Sequence, residues 1–131
     1  NPKFVRPWQH VLDPLYGYIL LAEKLYKNPN NYSSSWNFGP NFKNRSVQDV
    51  IKFFYNHNYK YEVKNKLKIS ESKLLNLSSS KSKSRLKWSP KYNFNKSLVN
   101  TYEWYKNFYS NKSNIYKFTQ YQIDNYFKKI I

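Results

Sequence analysis

The chain has 131 residues, with 23 Lys and Arg against 7 Asp and Glu, a net charge of +16 at pH 7, and no cysteine. This length suits one compact domain and is too short for two, and the lack of cysteine excludes disulfides, cysteine nucleophiles and cysteine-bound metals. No apolar run approaches the roughly 20 residues of a membrane span, and the first residues lack the features of a secretory signal. We therefore expect a cytoplasmic protein with neither a membrane nor a metal partner.

The positive charge invites a nucleic-acid-binding interpretation. However, the basic residues are 20 Lys and only 3 Arg, whereas paired contacts to phosphates and bases favour Arg. The Lys are also spread along the chain, beside the excess of Asn and Tyr that an AT-rich genome produces. A small basic nucleic-acid-binding module remains an alternative, because bases stack on aromatic side chains and these make up 21% of the residues.

The first predicted element is a helix. Asp13 followed by Pro14 has the pattern of an N-cap with proline at the first helical position, and apolar residues continue at helical spacing to about Lys27. Residues 35–38 predict a short strand that ends at the turn pair Gly39-Pro40.

The middle of the chain predicts a second helix and two extended segments. Ser46 caps this helix, with Asp49 three residues later as the partner of a capping box. The loose alternation over residues 59–68 indicates a strand, and residues 74–77 predict another short extended piece.

The last third predicts three helices. A short one follows Ser79 or Ser80 and ends near residue 86, a long one capped by Asn93 reaches about residue 109, and the last runs from Thr119 through Phe127. Residues 1–131 are thus expected to form a single segment of mixed, helix-rich α/β class.

The run Arg6-Pro7-Trp8-Gln9-His10-Val11-Leu12-Asp13-Pro14-Leu15-Tyr16-Gly17-Tyr18 resembles a segment of the nucleotide-sugar 4,6-dehydratases of the CDP-glucose type, which are extended short-chain dehydrogenases/reductases. In that family the run lies well past the cofactor domain, whereas here it begins at residue 6. The resemblance therefore implies a C-terminal, substrate-binding portion without the Rossmann cofactor half.

Further segments resemble the same family in the same order. They are Ser35-Trp36-Asn37-Phe38-Gly39-Pro40, Ser46-Val47-Gln48-Asp49-Val50, Leu74-Leu75-x-Leu77-x-x-Ser80-Lys81, Leu86-x-Trp88-x-Pro90, Thr101-x-Glu103-Trp104-Tyr105 and Phe118-Thr119-x-x-Gln122-Ile123. Two departures are Ser78, where the family usually has Asp, and Lys87, where the turn usually has Gly.

The resemblance implies a lyase of deoxysugar synthesis, which converts CDP-glucose to its 4-keto-6-deoxy product and water with a tightly held NAD. The full-length enzyme would bind NAD through its N-terminal half and is expected to be a homo-oligomer.

This chain has only two glycines, far apart, so it lacks the glycine-rich phosphate turn. Tyr102 and Lys106 have the spacing of the catalytic Tyr-x-x-x-Lys pair, but they lie on the C-terminal helix, and we assign them no catalysis. The segment is expected to be inactive alone, without a catalytic, cofactor-binding or metal residue.

The resemblance implies that this segment binds CDP-glucose or a similar nucleotide sugar. Arg6 would anchor the diphosphate, since its guanidinium forms paired hydrogen bonds. Asn37, which both donates and accepts, would contact ribose or phosphate. Trp8 either lines the pocket or fills the core. Glu71 falls where the family has a His-Glu pair near the nucleotide, although Ser70 replaces the His.

His10 and Gln9 are polar residues in an apolar context, which is more typical of a structural histidine than of a catalytic one. A related epimerase or dehydratase acting on another nucleotide sugar remains an alternative. The order Arg-Pro-Trp-Gln-His favours the CDP branch, because the dTDP branch usually reads Arg-Asp-Trp at this point.

Overall fold

A computed structural model describes residues 1–42, 45–62, 72–110 and 114–128. In these ranges the chain forms six helices and two short strands. The elements are β1 (Val5–Arg6), α1 (Leu12–Lys27), α2 (Pro29–Tyr32), β2 (Arg45–Ser46), α3 (Val47–Tyr55), α4 (Ser80–Leu86), α5 (Phe94–Ser110) and α6 (Ile115–Phe127). The expectation of a helix-rich, mixed α/β fold is confirmed at this level.

The sheet is small. β1 and β2 are antiparallel, with Val5 opposite Ser46 and Arg6 opposite Arg45. Val5 also forms an isolated parallel bridge with Leu74. None of the helices in the described ranges is long and apolar enough to cross a membrane.

Two predicted helix starts are confirmed by their caps. At α3 the hydroxyl of Ser46 accepts from the backbone N–H of Asp49, and the Asp49 carboxylate accepts from the Ser46 N–H, which completes the capping box. At α5 the side-chain oxygen of Asn93 accepts from the N–H of Lys96 at 2.9 Å. Both contacts join residues three positions apart, so local pattern was sufficient to predict them.

The predicted cap of α1 is wrong. The helix begins at Leu12, with Val11 in the cap position and no side-chain cap hydrogen bond. Asp13 is instead completely buried, and its Oδ1 accepts from the backbone N–H of Lys91 and from the hydroxyl of Tyr126, each at 2.8 Å. Distant partners therefore replace the local cap. Burial raises the pKa of Asp13, and the hydrogen bonds from Lys91 and Tyr126 oppose this shift.

The start of α6 also differs from the prediction. The helix begins four residues before Thr119, where the side-chain oxygen of Asn114 accepts from the N–H groups of Tyr116 and Lys117. The hydroxyl of Thr119 donates to the carbonyl of Ile115 inside the helix. Asn114 is the better cap because its carbonyl oxygen reaches two orphan donors of the first turn.

The strand predictions were largely wrong within the described residues. Residues 35–38 form no ladder, and residues 59–62 are not in a strand, while residues 63–68 of that predicted segment lie outside the described residues. Leu74 contributes only its bridge to Val5. A strand exists only with a hydrogen-bonded neighbour, and no strand of the described residues pairs with residues 35–38.

The core joins α1 to the segments on either side of α4. Phe38, Leu86 and Trp88 form a buried cluster. The partly buried side chains that pack against it are Tyr16, Leu20, Leu21, Tyr32 and Trp36. Trp88 is fully buried, and its indole N–H donates to the carbonyl of Asp13 at 3.0 Å.

Gly17, in the middle of α1, lets the ring of Phe38 approach the helix backbone. A Cβ at position 17 would overlap Cδ1 of that ring, closer than real Cβ atoms come to a neighbouring atom. The helix and the segment after α2 therefore pack at a distance that only glycine permits.

α4 ends in a left-handed residue. Lys87 has φ 57° and ψ 24°, and its N–H donates to the carbonyl of Ser82. This conformation is most easily adopted by glycine. The structure thus gives a physical reason why glycine would suit position 87, where the sequence has Lys.

Candidate binding site

Three segments that carry predicted binding residues meet around β1. Val5 exchanges hydrogen bonds with the residues on either side of Leu74, from Val5 N to the Lys73 carbonyl at 2.9 Å and from Leu75 N to the Val5 carbonyl at 3.2 Å. On the other flank, Gln9 Nε2 donates to the carbonyl of Phe38 at 2.7 Å. Residues 5–9 therefore lie between the segment that follows Glu71 and the segment that contains Asn37.

Arg6 is half-buried in β1. Its Nη1 donates to the carbonyl of Val5 at 2.7 Å and to that of Ser72 at 3.0 Å, and its guanidinium lies 5.4 Å from the centre of the Phe4 ring. Both acceptors are neutral carbonyls, and these bonds orient the guanidinium.

A second arginine stands directly opposite. Arg45 pairs with Arg6 across the β1–β2 ladder. Like charges at directly opposite positions of an antiparallel pair are destabilising. Arg45 rests its guanidinium over the ring of Phe94, 5.1 Å from the ring centre. This pairing places two arginine side chains on one short ladder.

Trp8 and Gln9 both carry buried polar atoms with no hydrogen-bond partner among the described residues, the indole Nε1 of Trp8 and the Oε1 of Gln9. The indole N–H groups of the other three tryptophans are all satisfied, Trp36 by the Tyr32 carbonyl, Trp88 by the Asp13 carbonyl and Trp104 by the Thr119 hydroxyl. Unpaired buried donors are rare in proteins. Where one occurs, it often marks a place for a ligand or a water molecule.

Asn37 is exposed, and its backbone carbonyl accepts from the hydroxyl of Ser82 at 2.6 Å. Its side-chain amide makes no hydrogen bond within the described ranges. The residue is thus held by its backbone and presents an unengaged donor and acceptor next to Phe38, which Gln9 contacts.

Glu71 lies outside the described residues, together with the rest of residues 63–71. Ser72, its neighbour in sequence, accepts the hydrogen bond from Arg6. The predicted contact residues Arg6, Trp8 and Asn37 thus lie on neighbouring segments, while the role of Glu71 stays a prediction.

His10 is a buried residue. Burial lowers its pKa to about 4, so the imidazole is neutral at pH 7. Its Nδ1 accepts from the N–H of Leu12 at 3.3 Å, and its ring meets that of Tyr92 edge-to-face, with the ring centres 5.3 Å apart. These contacts give the imidazole a packing role.

The Tyr102–Lys106 pair has no catalytic geometry. The ammonium of Lys106 lies over the face of the Tyr102 ring, 5.6 Å from its centre. The ring of Tyr102 is enclosed by Phe53 and His57, at centre distances of 6.3 and 4.5 Å. A lysine that lowers a tyrosine pKa for base catalysis must act on the phenolic oxygen.

The residues present do not fit a dinucleotide cofactor. Such a site needs a glycine-rich turn between a strand and a helix N-terminus. The two glycines of the sequence are Gly17 inside α1 and Gly39, and the backbone N–H and carbonyl of Gly39 both bind the hydroxyl of Ser79. Among the described residues, no group of three or more His, Asp or Glu is placed to hold a metal ion.

Sequence reasoning missed Arg45 and the orphaned Gln9 oxygen. Arg45 immediately precedes the Ser46 cap, and no local motif marks it; only its register opposite Arg6 reveals it. Gln9 belongs to the recognised run, but its partner is 29 positions away in sequence.

No protein-family model matches the chain. A stretch of 51 residues is 47% identical to CDP-glucose 4,6-dehydratase of Salmonella typhimurium, and this match covers 39% of the chain and 14% of that enzyme. The chain therefore corresponds to a small part of the curated relative that it matches, and the similarity is to an enzyme that acts on a nucleotide sugar.

Proposed function

We propose that this chain is the C-terminal, substrate-binding portion of a CDP-glucose 4,6-dehydratase-like lyase of the extended short-chain dehydrogenase/reductase family. The 47% identity to the Salmonella enzyme over 51 residues supports the family. In this proposal the segment binds the nucleotide sugar and is inactive alone. The rest of the enzyme binds NAD, which supplies hydride transfer at the sugar.

The observation that carries the proposal is the paired arginines of the β1–β2 ladder, next to an unpaired buried donor. Arg6 and Arg45 lie opposite each other, and Arg6 is oriented by two neutral carbonyls. A diphosphate would take paired hydrogen bonds from the planar guanidinium groups. The indole N–H of Trp8, two residues from Arg6, would find an acceptor in the ligand.

Asn37 contributes a neutral donor and acceptor suited to ribose hydroxyls. Glu71, which the resemblance places near the nucleotide, would accept from a ribose or sugar hydroxyl. None of these residues exchanges a proton in the reaction. Their contribution is to fix the position of the sugar nucleotide for a catalytic centre elsewhere in the enzyme.

The test is a titration of the isotopically labelled chain with CDP-glucose, followed by NMR. The four tryptophans give four indole N–H resonances. We expect the Trp8 signal to move on addition of millimolar CDP-glucose, while that of Trp104, already bonded to Thr119, stays in place. A Trp8 resonance that does not respond would contradict the proposal.

Two arginine substitutions test whether Arg6 contacts the ligand. Arg6→Lys keeps the positive charge and removes the planar fork, so the affinity for CDP-glucose should fall by about tenfold or more. Arg85→Lys is the matched control, because Arg85 contacts the rings of Tyr32 and Trp36 and donates to the Asn31 carbonyl. Salt-sensitive binding of generic RNA with no response to CDP-glucose would favour the nucleic-acid alternative instead.

A further inference from the structure

Two cationic side chains of α4 lie over one tryptophan ring. The ammonium of Lys81 is 4.4 Å from the centre of the Trp36 ring, and the guanidinium of Arg85 is 5.6 Å from it. The rings of Tyr32 and Trp36 are stacked with their centres 5.9 Å apart, and we call this pair the aromatic platform. Because residues four apart on a helix are neighbours, both cations stand on the same face of α4.

Hydrogen bonds to neutral groups hold both cations in place. The ammonium of Lys81 donates to the hydroxyl of Ser34 at 2.8 Å and to the carbonyl of Ser35 at 2.9 Å. The guanidinium of Arg85 donates to the carbonyl of Asn31 at 2.8 Å. Long, flexible side chains lose conformational entropy when they bind a ligand, and folding has already ordered these two. Their positive charges are therefore preorganised.

Neither charge is balanced by a carboxylate. Within the described residues, Lys81 and Arg85 form no ion pair with Asp or Glu. The chain offers few candidates, since it has only 7 acidic residues against 23 Lys and Arg. Like charges four residues apart on a helix repel each other and destabilise it. An anion held between the two side chains would offset this repulsion and accept charge-assisted hydrogen bonds from both.

Both groups keep donors for such an anion. An ammonium has three N–H groups and a guanidinium has five. Contacts within the described residues engage two of those on Lys81 and one of those on Arg85. Arg85 is also exposed, so its remaining N–H groups are available to a ligand. The planar guanidinium matches two oxygen atoms of a phosphate, and the ammonium adds a point charge beside it.

The surroundings favour a single phosphate group over a chain of phosphates. Residues 28–42, which contain α2 and the Trp36 side of the platform, include no Lys or Arg. Lys83 lies about 200° around α4 from Lys81 and donates to the side chain of Asn41. A nucleic-acid strand needs a row of cations that follows its backbone, and residues 28–42 do not continue one. A terminal phosphate group, with a charge of about −1.5 to −2 at pH 7, matches two cations.

We propose that Lys81 and Arg85, held on the aromatic platform, bind the terminal phosphate group of a small molecule. The chemical class is that of a phosphate monoester or of free inorganic phosphate, which present the same oxygen atoms to the two cations. This inference is independent of the proposed function. Both phosphates of CDP-glucose are internal and carry one charge each, so the proposed substrate is a poorer match for this site than a terminal phosphate.

The experiment is a titration of the isotopically labelled chain with inorganic phosphate and, separately, with glycerol 3-phosphate, followed by NMR at constant ionic strength. The indole N–H of Trp36, which donates to the Tyr32 carbonyl, reports on the platform. We expect its signal to move at millimolar ligand, while that of Trp104, bonded to Thr119, stays in place. A tighter response to one of the two compounds identifies whether the site prefers the ester or the free anion.

Three substitutions locate the response. Arg85→Gln and Lys81→Gln each remove one of the two charges and should weaken binding by about fivefold or more. Lys83→Gln is the matched control, because it removes the same charge from the opposite side of the same helix, and it should change the affinity by less than about twofold. Arg85→Gln is the cleaner variant, since it keeps the bonds of Lys81 to Ser34 and Ser35. Near-ultraviolet circular dichroism verifies that each variant is folded.

Three outcomes overturn the inference. The first is a Trp36 signal that responds to neither phosphate compound. The second is an equal loss of affinity in all three variants, which would show an effect of net charge alone. The third is a Trp36 response to a uridine oligonucleotide without terminal phosphates that is stronger than the response to phosphate, which would indicate a nucleic-acid surface. None of them decides the proposed function, which is read from the Trp8 signal with CDP-glucose.

Discussion

The carboxylate of Asp13 accepts a hydrogen bond from the hydroxyl of Tyr126 at 2.8 Å, across 113 positions of the sequence. The first long helix and the last helix are thereby joined in the buried interior, where Asp13 and Tyr126 are both completely covered. The same carboxylate oxygen accepts from the backbone N–H of Lys91. The second oxygen of Asp13 and the ammonium of Lys91 are buried without a hydrogen-bond partner among the described residues.

Tyr126→Phe is expected to lower the free energy of unfolding by about 1–3 kcal/mol, because it leaves a buried carboxylate with one fewer donor. Asp13→Asn should also destabilise the chain, and the double variant should cost less than the sum of the two. Urea denaturation of all four proteins measures this coupling. Additive effects would show that the contact between the two side chains contributes nothing to stability.

The stability of the chain should fall as the pH is lowered from 6.5 towards 4. Burial lowers the pKa of His10 to about 4, so in this range the unfolded state binds a proton that the folded state excludes. The full stabilisation from neutral His10 is present above pH 6.5, and its loss down to pH 4 amounts to about 3 kcal/mol. Asp13, whose pKa is raised, acts in the opposite direction.

Urea unfolding of the parent and of His10→Asn at several pH values isolates the contribution of His10 to the pH dependence of stability, since Asp13 is present in both proteins. The free energy of unfolding of the variant should fall less steeply as the pH is lowered, because its amide does not titrate. Parallel curves for the parent and His10→Asn would contradict the assignment.

Gly17→Ala should destabilise the chain, although alanine is the better helix former. The added Cβ would overlap the Phe38 ring, which is itself buried against Trp88 with ring centres 5.1 Å apart. Such overpacking costs about 1–3 kcal/mol, more than the roughly 1 kcal/mol gained in helix propensity. Thermal unfolding measures the difference. A higher melting temperature for the variant would show that Phe38 can move aside.

Lys87→Gly should stabilise the chain. Lys87 has a left-handed backbone, with φ 57°, at the end of α4. Relief of this strain is worth about 1–2 kcal/mol and exceeds the entropic cost of glycine of roughly 0.5–1 kcal/mol. A rise in the urea midpoint is expected, with Lys83→Gly, inside the same helix, as the destabilising control. A lower midpoint for Lys87→Gly would contradict the conformational assignment.

Sequence reasoning succeeded where partners are close in the chain. The Ser46–Asp49 capping box and the Asn93 cap were predicted because a cap and its acceptor lie three residues apart. The Asp13-Pro14 pattern failed, because the same two residues serve equally as a cap or as a buried acceptor. Only the folded chain brings Tyr126 and Lys91 to Asp13.

In the candidate site, too, only residues close together in the sequence could be predicted together. Arg6 and Trp8 could be proposed together because they are two residues apart in a recognised run. Arg45 could not, since its position opposite Arg6 depends on a ladder of two residues on each strand. Residues 35–38 have the composition of a strand, but pairing depends on a neighbour that local pattern does not specify.

The contact between Gly17 and the Phe38 ring couples the substitutions that the two positions can accept. A side chain at position 17 can be accepted only if a smaller residue replaces Phe38, and a smaller residue at 38 leaves a cavity unless position 17 gains volume. Neither change is tolerated well by itself, so each should be rare in isolation. Among homologous sequences, residues 17 and 38 are therefore expected to covary, with glycine at 17 accompanying a large aromatic residue at 38.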